Sequence, residues 1–406
     1  MNASAGRSGR RAWRMASAAA LTAAVLATGA CTGGGSPAWN DGKGGASAPA
    51  EDKGPQVTAA ITSPASESAD VPAVPTIEFT TSNADDAEIA VTDADGTAVE
   101  GTTAEDGKSW VPAKQLAWGG TYTATVTATG AEGRTGTAVS TFTVMRKPAN
   151  LVRVSSFLGD GQTVGVGMPM IVRFGRAVPE KYRADVERRM VLESTPKQEG
   201  TWHWYSPTEI HYRPKAYWQP DTKISYSVNL GGVPMGDGWY GRSDLTVDLK
   251  IGRSFVMTVD NASKQMTVTQ NGKVVKKIPV SLGKKSTPSS SGTMVVIEKK
   301  RKTVFDTMDE LPEGEGYRTD IEYAQRLTWG GEFIHAAPWS EGVQGRTNVS
   351  HGCVNVSMKE GAWLFARTML GDPVTVKGTP RKLQNGNGWT DWNMSWEQYQ
   401  QGSALS

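Results

Sequence analysis

An excess of charge of either sign is what this chain lacks first. Its 43 Lys and Arg stand against 41 Asp and Glu over 406 residues, a net of +2. Such a balance offers no field to hold nucleic acid by its phosphates. The densest basic run, Glu298-Lys-Lys-Arg-Lys302, reads as a solvated strand end. Cysteine is nearly absent: Cys31 and Cys353 stand in unlike surroundings. A secreted disulfide scaffold would carry an even set at regular spacing, so that class is excluded. Histidine is confined to His203, His211, His335 and His351. No acid or second cysteine stands at ligand spacing beside the last pair, so neither a zinc site nor any cofactor is expected. What is abundant is Gly, 46 residues of it, and Thr, which favour short strands and turns over long helices.

The first thirty residues read as an address. Arg7, Arg10, Arg11 and Arg14 precede Met15 to Ala30, an uncharged run of small and apolar residues. That is the pattern of a secretory signal peptide, too short to span a bilayer comfortably. The run ends Thr28-Gly-Ala-Cys31, which resembles a bacterial lipobox. The resemblance implies cleavage before Cys31 and acylation there, a membrane anchor of two or more chains. The alternative is a plain signal peptide cut near Ala30. Residues 31–55, rich in Gly, Ser, Ala and Pro, cannot bury a core and read as a flexible tether.

From there the signals are mainly β. In Thr121-Tyr-Thr-Ala-Thr-Val-Thr-Ala-Thr129, Tyr122, Ala124, Val126 and Ala128 share one face, as in a half-buried strand. Similar strands, with turns at Asp95-Gly96 and Gly119-Gly120, predict an immunoglobulin-like sandwich over 56–147. A second such domain is predicted over 148–252, with strands at Met170–Phe174, Gly200–Tyr205, Glu209–Arg213 and Lys223–Val228. Its His203 and His211 sit among aromatics and read as structural. A third unit, 253–377, shows an Asn271-Gly272 hairpin signal and strands at Glu332–Ala336 and Cys353–Val356. A helix follows, capped by Ser357 and Glu360 and stopping at Gly371. The tail, 378–406, carries Trp389, Trp392 and Trp396, costly to leave in water. It is expected to fold back onto the third unit.

Chemistry concentrates in the third unit: His335, then fourteen residues, then Ser350-His351-Gly352-Cys353-Val354-Asn355. A thiol attacks as thiolate, and an imidazole that takes its proton can later return one to a leaving amine. His351 is two positions from Cys353 and would share its strand face; His335 lies on a neighbouring predicted strand. Spacing does not choose between them. Gly352 allows a conformation barred to other residues, and backbone N–H groups there could receive an oxyanion. The alternative is a buried structural cysteine, the commonest use of a free one.

These residues resemble the signature of YkuD-type L,D-transpeptidases. So do Phe333-Ile-His-Ala-Ala-Pro-Trp-Ser340, Gln344-Gly345, Thr347-Asn348 and Asp391-Trp-Asn-Met-Ser-Trp396, which are similar to mycobacterial-type members. The resemblance implies Cys353 as nucleophile and His335 as general base and acid, oriented by the Ala336 carbonyl. It implies that His351 and Gly352 shape the oxyanion site. Tyr317, Gly330, Gly331, Trp339 and Asn355 would contact substrate, Tyr317 and Trp339 from a lid. It further implies formation of 3→3 cross-links between peptidoglycan stem peptides through a thioester, with release of D-Ala, and covalent inhibition by carbapenems. The rival enzyme is an L,D-carboxypeptidase; the rival outside enzymes is a structural lipoprotein with an idle third domain. The expected fold is mainly β, two immunoglobulin-like sandwiches before a catalytic domain, in an exported protein anchored to the membrane and facing the wall.

Overall fold

The computed structural model describes residues 55–306 and 318–406. The signal segment, Cys31, nearly all of the tether and Tyr317 lie outside the described residues.

Alternation builds the first β unit. Along Thr121–Thr129 the residues Tyr122, Ala124, Val126 and Ala128 are buried while the threonines between them are not. This strand lies between Asp86–Asp93 and Thr135–Val144, with Ser68–Val71 beyond. A second four-stranded sheet is ordered Thr58–Ser63, Ile77–Ser82, Ser109–Pro112, Gly101–Thr103. Ile77, Val91, Trp110, Tyr122 and Phe142 fill the space as one core.

The second β unit also pairs two four-stranded sheets. One runs Val154–Ser156, Met170–Phe174, Glu209–Pro214, Gly200–Ser206; the other Thr163–Val164, Leu245–Ile251, Lys223–Val228, Met190–Thr195. Between Met170–Phe174 and Met190–Thr195 the chain forms a helix, Glu180–Arg188, that strand patterning does not reveal. Pro179 starts it, and Glu180 and Arg188 suit the ends of its dipole. The core of this unit is not its own. Val295 and Ile297 of the third unit and Trp389 of the tail pack into the same cluster as Met168, Ile171 and Trp218.

The third unit holds a six-stranded sheet, ordered Lys273–Pro279, Gln265–Gln270, Phe255–Asp260, Pro373–Lys377, Ser290–Val295, Arg381–Lys382. Asn271 and Gly272, both at positive φ, turn its first hairpin. A four-stranded sheet follows: Glu298–Asp306, Arg318–Arg326, Phe333–Ala336, Val354–Val356. The basic run is therefore the start of a nine-residue strand. Helix Met358–Arg367 is capped by Ser357, whose hydroxyl accepts from Glu360 N at 3.2 Å. It ends at Arg367, short of the expected Gly371. Thr368 turns to extended backbone, and its hydroxyl bonds Gln325 of the neighbouring strand instead. Gly371, at φ +85°, serves a later bend where a Cβ would lie 2.4 Å from Cβ of Met168 in the second unit.

The tail does not rest on the third unit alone. Arg381–Lys382 adds a strand beside Ser290–Ser291, but the aromatic stretch crosses to the second unit. Trp392 Nε1 donates to Gly167 O at 2.7 Å. The buried Arg213 guanidinium lies 4.6, 5.3 and 4.2 Å from the rings of Trp392, Trp396 and Tyr399. The buried Arg213 cation and the Gly167 carbonyl give the aromatic stretch its partners in the second unit. His203 and His211 take part: His203 stacks on Tyr399, and His211 Nδ1 meets Asp391 Oδ1 at 2.8 Å.

Candidate active site

Strand pairing brings the two chemical segments together. Phe333–Ala336 runs parallel to Val354–Val356, with Ile334 opposite Val354 and His335 opposite Asn355. Ile334, Val354 and Val356 point into the third unit's core. By alternation the other face carries His335 and Asn355, and Cys353 joins them at the strand's start. All three line a cavity of about 490 Å³ with Phe305, Ile321, Trp339, Ser350 and His351. A second cavity, about 540 Å³, also reaches Cys353 and His351, and is lined by Gly330, Gly331, Lys300, Arg326 and Arg381. The thiol thus stands where two cavities meet, one mostly apolar and one mostly polar.

Ser350 shapes the turn that presents the thiol. Its hydroxyl donates to Cys353 O at 2.7 Å and accepts from Gly352 N at 3.1 Å. Ser289 Oγ donates to Gly352 O at 2.7 Å. Gly352 sits at φ +131°, with nothing nearer than 3.7 Å to a hypothetical Cβ. Backbone conformation, not space, requires glycine there. Its N–H is already given to Ser350, so its contribution is the bend.

His335 is 3% exposed, with Phe305 edge-on at 5.3 Å and Trp339 at 6.0 Å between ring centroids. Its Nδ1 lies 2.9 Å from Ala336 O. A carbonyl only accepts, so Nδ1 carries the hydrogen and Nε2 keeps its lone pair. Burial pushes the imidazolium pKa down to about 4, against the pull of the Ala336 carbonyl. Cys353 is 8% exposed and its S–H donates to Gly331 O at 3.6 Å. Burial pushes the thiol up to about 12; the Phe333 backbone opposes this, the Glu332 charge adds to it and Arg326 opposes it. At rest the pair is a neutral thiol and a neutral imidazole.

Of the residues named from sequence, Cys353, His335, His351, Trp339 and Asn355 share the first cavity, while Gly330 and Gly331 border the second. Trp339 stands 59% exposed at the mouth. Sequence reasoning passed over Phe305, Ser289 and Glu332. The buried Glu332 carboxylate accepts from Ser290 Oγ at 2.8 Å and from Arg381. Only the alternation of Glu298–Asp306 could have flagged Phe305; the other two become neighbours of the thiol through pairing distant in sequence. Among the described residues no group of three His, Cys, Asp or Glu is arranged to hold a metal.

Known proteins share this organisation. Residues 68–234 match the bacterial Ig domain and 254–376 the L,D-transpeptidase catalytic domain known as YkuD. L,D-transpeptidase 2 of Mycobacterium tuberculosis (strain CDC 1551 / Oshkosh) is 34% identical over 97% of this chain and 96% of its own. L,D-transpeptidase 5 of Mycobacterium tuberculosis (strain H37Rv) is 31% identical over 84% of this chain and 76% of its own. A solved L,D-transpeptidase in complex with imipenem, 31% identical, aligns with 57% of this chain and all of its own at a TM-score of 0.49. Identity of this extent, through the β units as well as the catalytic one, means that the chain belongs to the L,D-transpeptidase family.

Proposed function

We propose that this enzyme forms 3→3 cross-links between peptidoglycan stem peptides through a thioester on Cys353. The observation that carries the reading is the shared cavity, in which a buried thiol and an imidazole with a bare Nε2 face the same space. Because both are neutral at rest, the proton moves as the bond forms. His335 Nε2 takes the Cys353 proton while Sγ attacks the carbonyl of the third residue, a diaminoacid, in a donor tetrapeptide. The oxyanion is received by the Cys353 N–H with His351 alongside. The C–N bond to D-Ala then breaks, and the proton on Nε2 passes to the departing amine. The amine of a neighbouring diaminoacid, giving its proton to His335, attacks the thioester and expels the thiolate, which recovers that proton.

Two cavities meeting at one sulfur suit two peptide partners, donor and acceptor, better than a donor and water alone. Trp339 at the mouth would limit water during the thioester's life. Tyr317, Gly330, Gly331 and Asn355 are assigned to substrate contact. Carbapenems are expected to acylate Cys353. The enzyme is further proposed to act outside the cell, held to the membrane by acylated Cys31.

The test is product analysis with purified enzyme and a disaccharide tetrapeptide. Dimer with release of D-Ala, lost in Cys353→Ala, is the expected result. Tripeptide without dimer, in the presence of acceptor, would instead establish a carboxypeptidase.

A further inference from the structure

The loop Thr328–Glu332 carries a carbonyl that accepts from the Cys353 thiol. Gly331 O accepts from Cys353 Sγ, and Gly331 stands at φ +87°. Within the loop, Glu332 N donates to Thr328 Oγ1 at 3.0 Å. From outside, Gly330 N donates to Asn387 Oδ1 at 2.8 Å. Asn387 lies 57 residues away in the tail, and its side chain covers Gly330 so closely that a Cβ there would lie 3.3 Å from it. The neighbours of Asn387 are held as firmly. A Cβ on Gly388 would lie 2.8 Å from Leu327 O, at the loop's base. Gly388 O accepts from Tyr205 OH of the second β unit. Trp389, 1% exposed, sets its ring edge-on to Trp329 of the loop and to Phe157 of the second unit. Asp391, fully buried, bonds His211.

We infer that Asn387 is a positioning residue for the Cys353 thiol, acting through Gly330 and Gly331, and that the second β unit holds Asn387 in place through Tyr205 and His211. From His211 the path passes to Asp391, along the tail backbone through Trp389 to Asn387, and from Asn387 through Gly330 to the Gly331 carbonyl and the sulfur. Asn387 contributes an acceptor and nothing else at this contact, so Asp, which keeps an oxygen there, can replace it and an apolar residue cannot. The Gly331 carbonyl accepts the thiol proton and so favours the neutral thiol; a loosened loop weakens that bond and makes the thiolate easier to form. It also lets the sulfur leave its line of attack, which slows turnover.

The inference rests on Cys353 as the reacting thiol, and its test separates the two ideas. Full-length Asn387→Leu, Asn387→Ala and Asn387→Asp are compared with wild type in D-Ala release and in alkylation of Cys353 by iodoacetamide across pH. The expected result for Leu and Ala is a kcat about tenfold lower, the scale of one lost hydrogen bond, with KM little changed. Their alkylation profile moves to lower pH, and Asn387→Asp restores both readings. An unmoved alkylation profile overturns the inference, even with lower kcat, because the thiol would then not be what the loop holds. An Asp variant as slow as Leu, or all three losing activity in step with melting temperature, overturns it too, since the role would be structural. A wild type that alkylates yet releases no D-Ala refutes the proposed reaction, while the alkylation profiles still decide the positioning.

Discussion

Two buried histidines divide the molecule by what surrounds them. Both His211 and His335 lie in strands and are almost wholly withdrawn from water. Burial lowers the pKa of each. At His211, Asp391 and Glu209, each 2.8 Å from a ring nitrogen, reverse that effect and raise it to about 9. At His335 only the Ala336 carbonyl opposes burial, and the value falls to about 4. His211 is therefore a cation with both nitrogens donating, fit to hold a tail and unable to take a proton. His335 keeps a lone pair and can. Burial beside carboxylates leaves a histidine cationic; burial without them leaves a neutral ring with a lone pair.

The largest effect that sharpens this contrast is at His335. Replacing it with Gln should slow carbapenem acylation about a thousandfold, the middle of the range for a general base. Thermal melting should move little. Stopped-flow fluorescence reads the first and calorimetry the second. Wild-type acylation should be level from about pH 6 to 8, since the base stays neutral above about 4 and the thiol stays protonated below about 12. A bell centred near neutrality would show that one of the two groups titrates there and that they are not both neutral at rest.

Next comes the other histidine. Asp391→Asn leaves His211 without its fully buried counter-ion and should cost about 3–5 kcal/mol in urea unfolding. The pH dependence has a definite sign. His211 is raised in the folded state, so its contribution is whole below the unfolded value of about 6.5 and fades as pH climbs through about 9. Asp391 is lowered by its His211 partner against burial, so its contribution stands above the unfolded value and fades as pH falls through the depressed one. Wild type should therefore lose stability between pH 7 and roughly 9.5, and His211→Gln should lose much of that slope. An equal slope in both proteins would count against the charged latch.

The smallest effect concerns the acid beside the thiol. Glu332→Gln removes a charge that raises the Cys353 value, so iodoacetamide should label the variant a few times faster at pH 8, roughly the effect of half a pKa unit. Slower labelling would show that the carboxylate acts by holding Arg381 and Ser290 and not by its field.

Much of this was legible in the sequence where the cause is local. Tyr122, Ala124, Val126 and Ala128 announce a strand because burial on a pleated sheet has a period of two. Ser357 and Glu360 announce a helix start because their groups meet within one turn. The run from Ser350 to Asn355 marked Cys353 as the candidate nucleophile, but spacing left His335 and His351 equal. Strand register then placed His335 opposite Asn355 and the Ala336 contact fixed its tautomer, while His351 lines the same cavity. What stayed hidden depends on distant partners. Asp391 is 180 residues from His211, and nothing near His211 in sequence foretells it. The tail's tryptophans signalled burial, but the surface receiving them is set by Arg213.

Gly371 and the cluster beside it bear on where the chain can be cut. Val295 and Ile297 belong to the catalytic unit yet are buried among residues of its neighbour, and the bend at Gly371 fits against Met168. A fragment beginning at residue 253 would present that apolar face to solvent, and such faces drive clumping. Recombinant work on the catalytic part is better served by keeping everything from residue 148 onward, since Val74 is the one residue of that buried cluster lying before it.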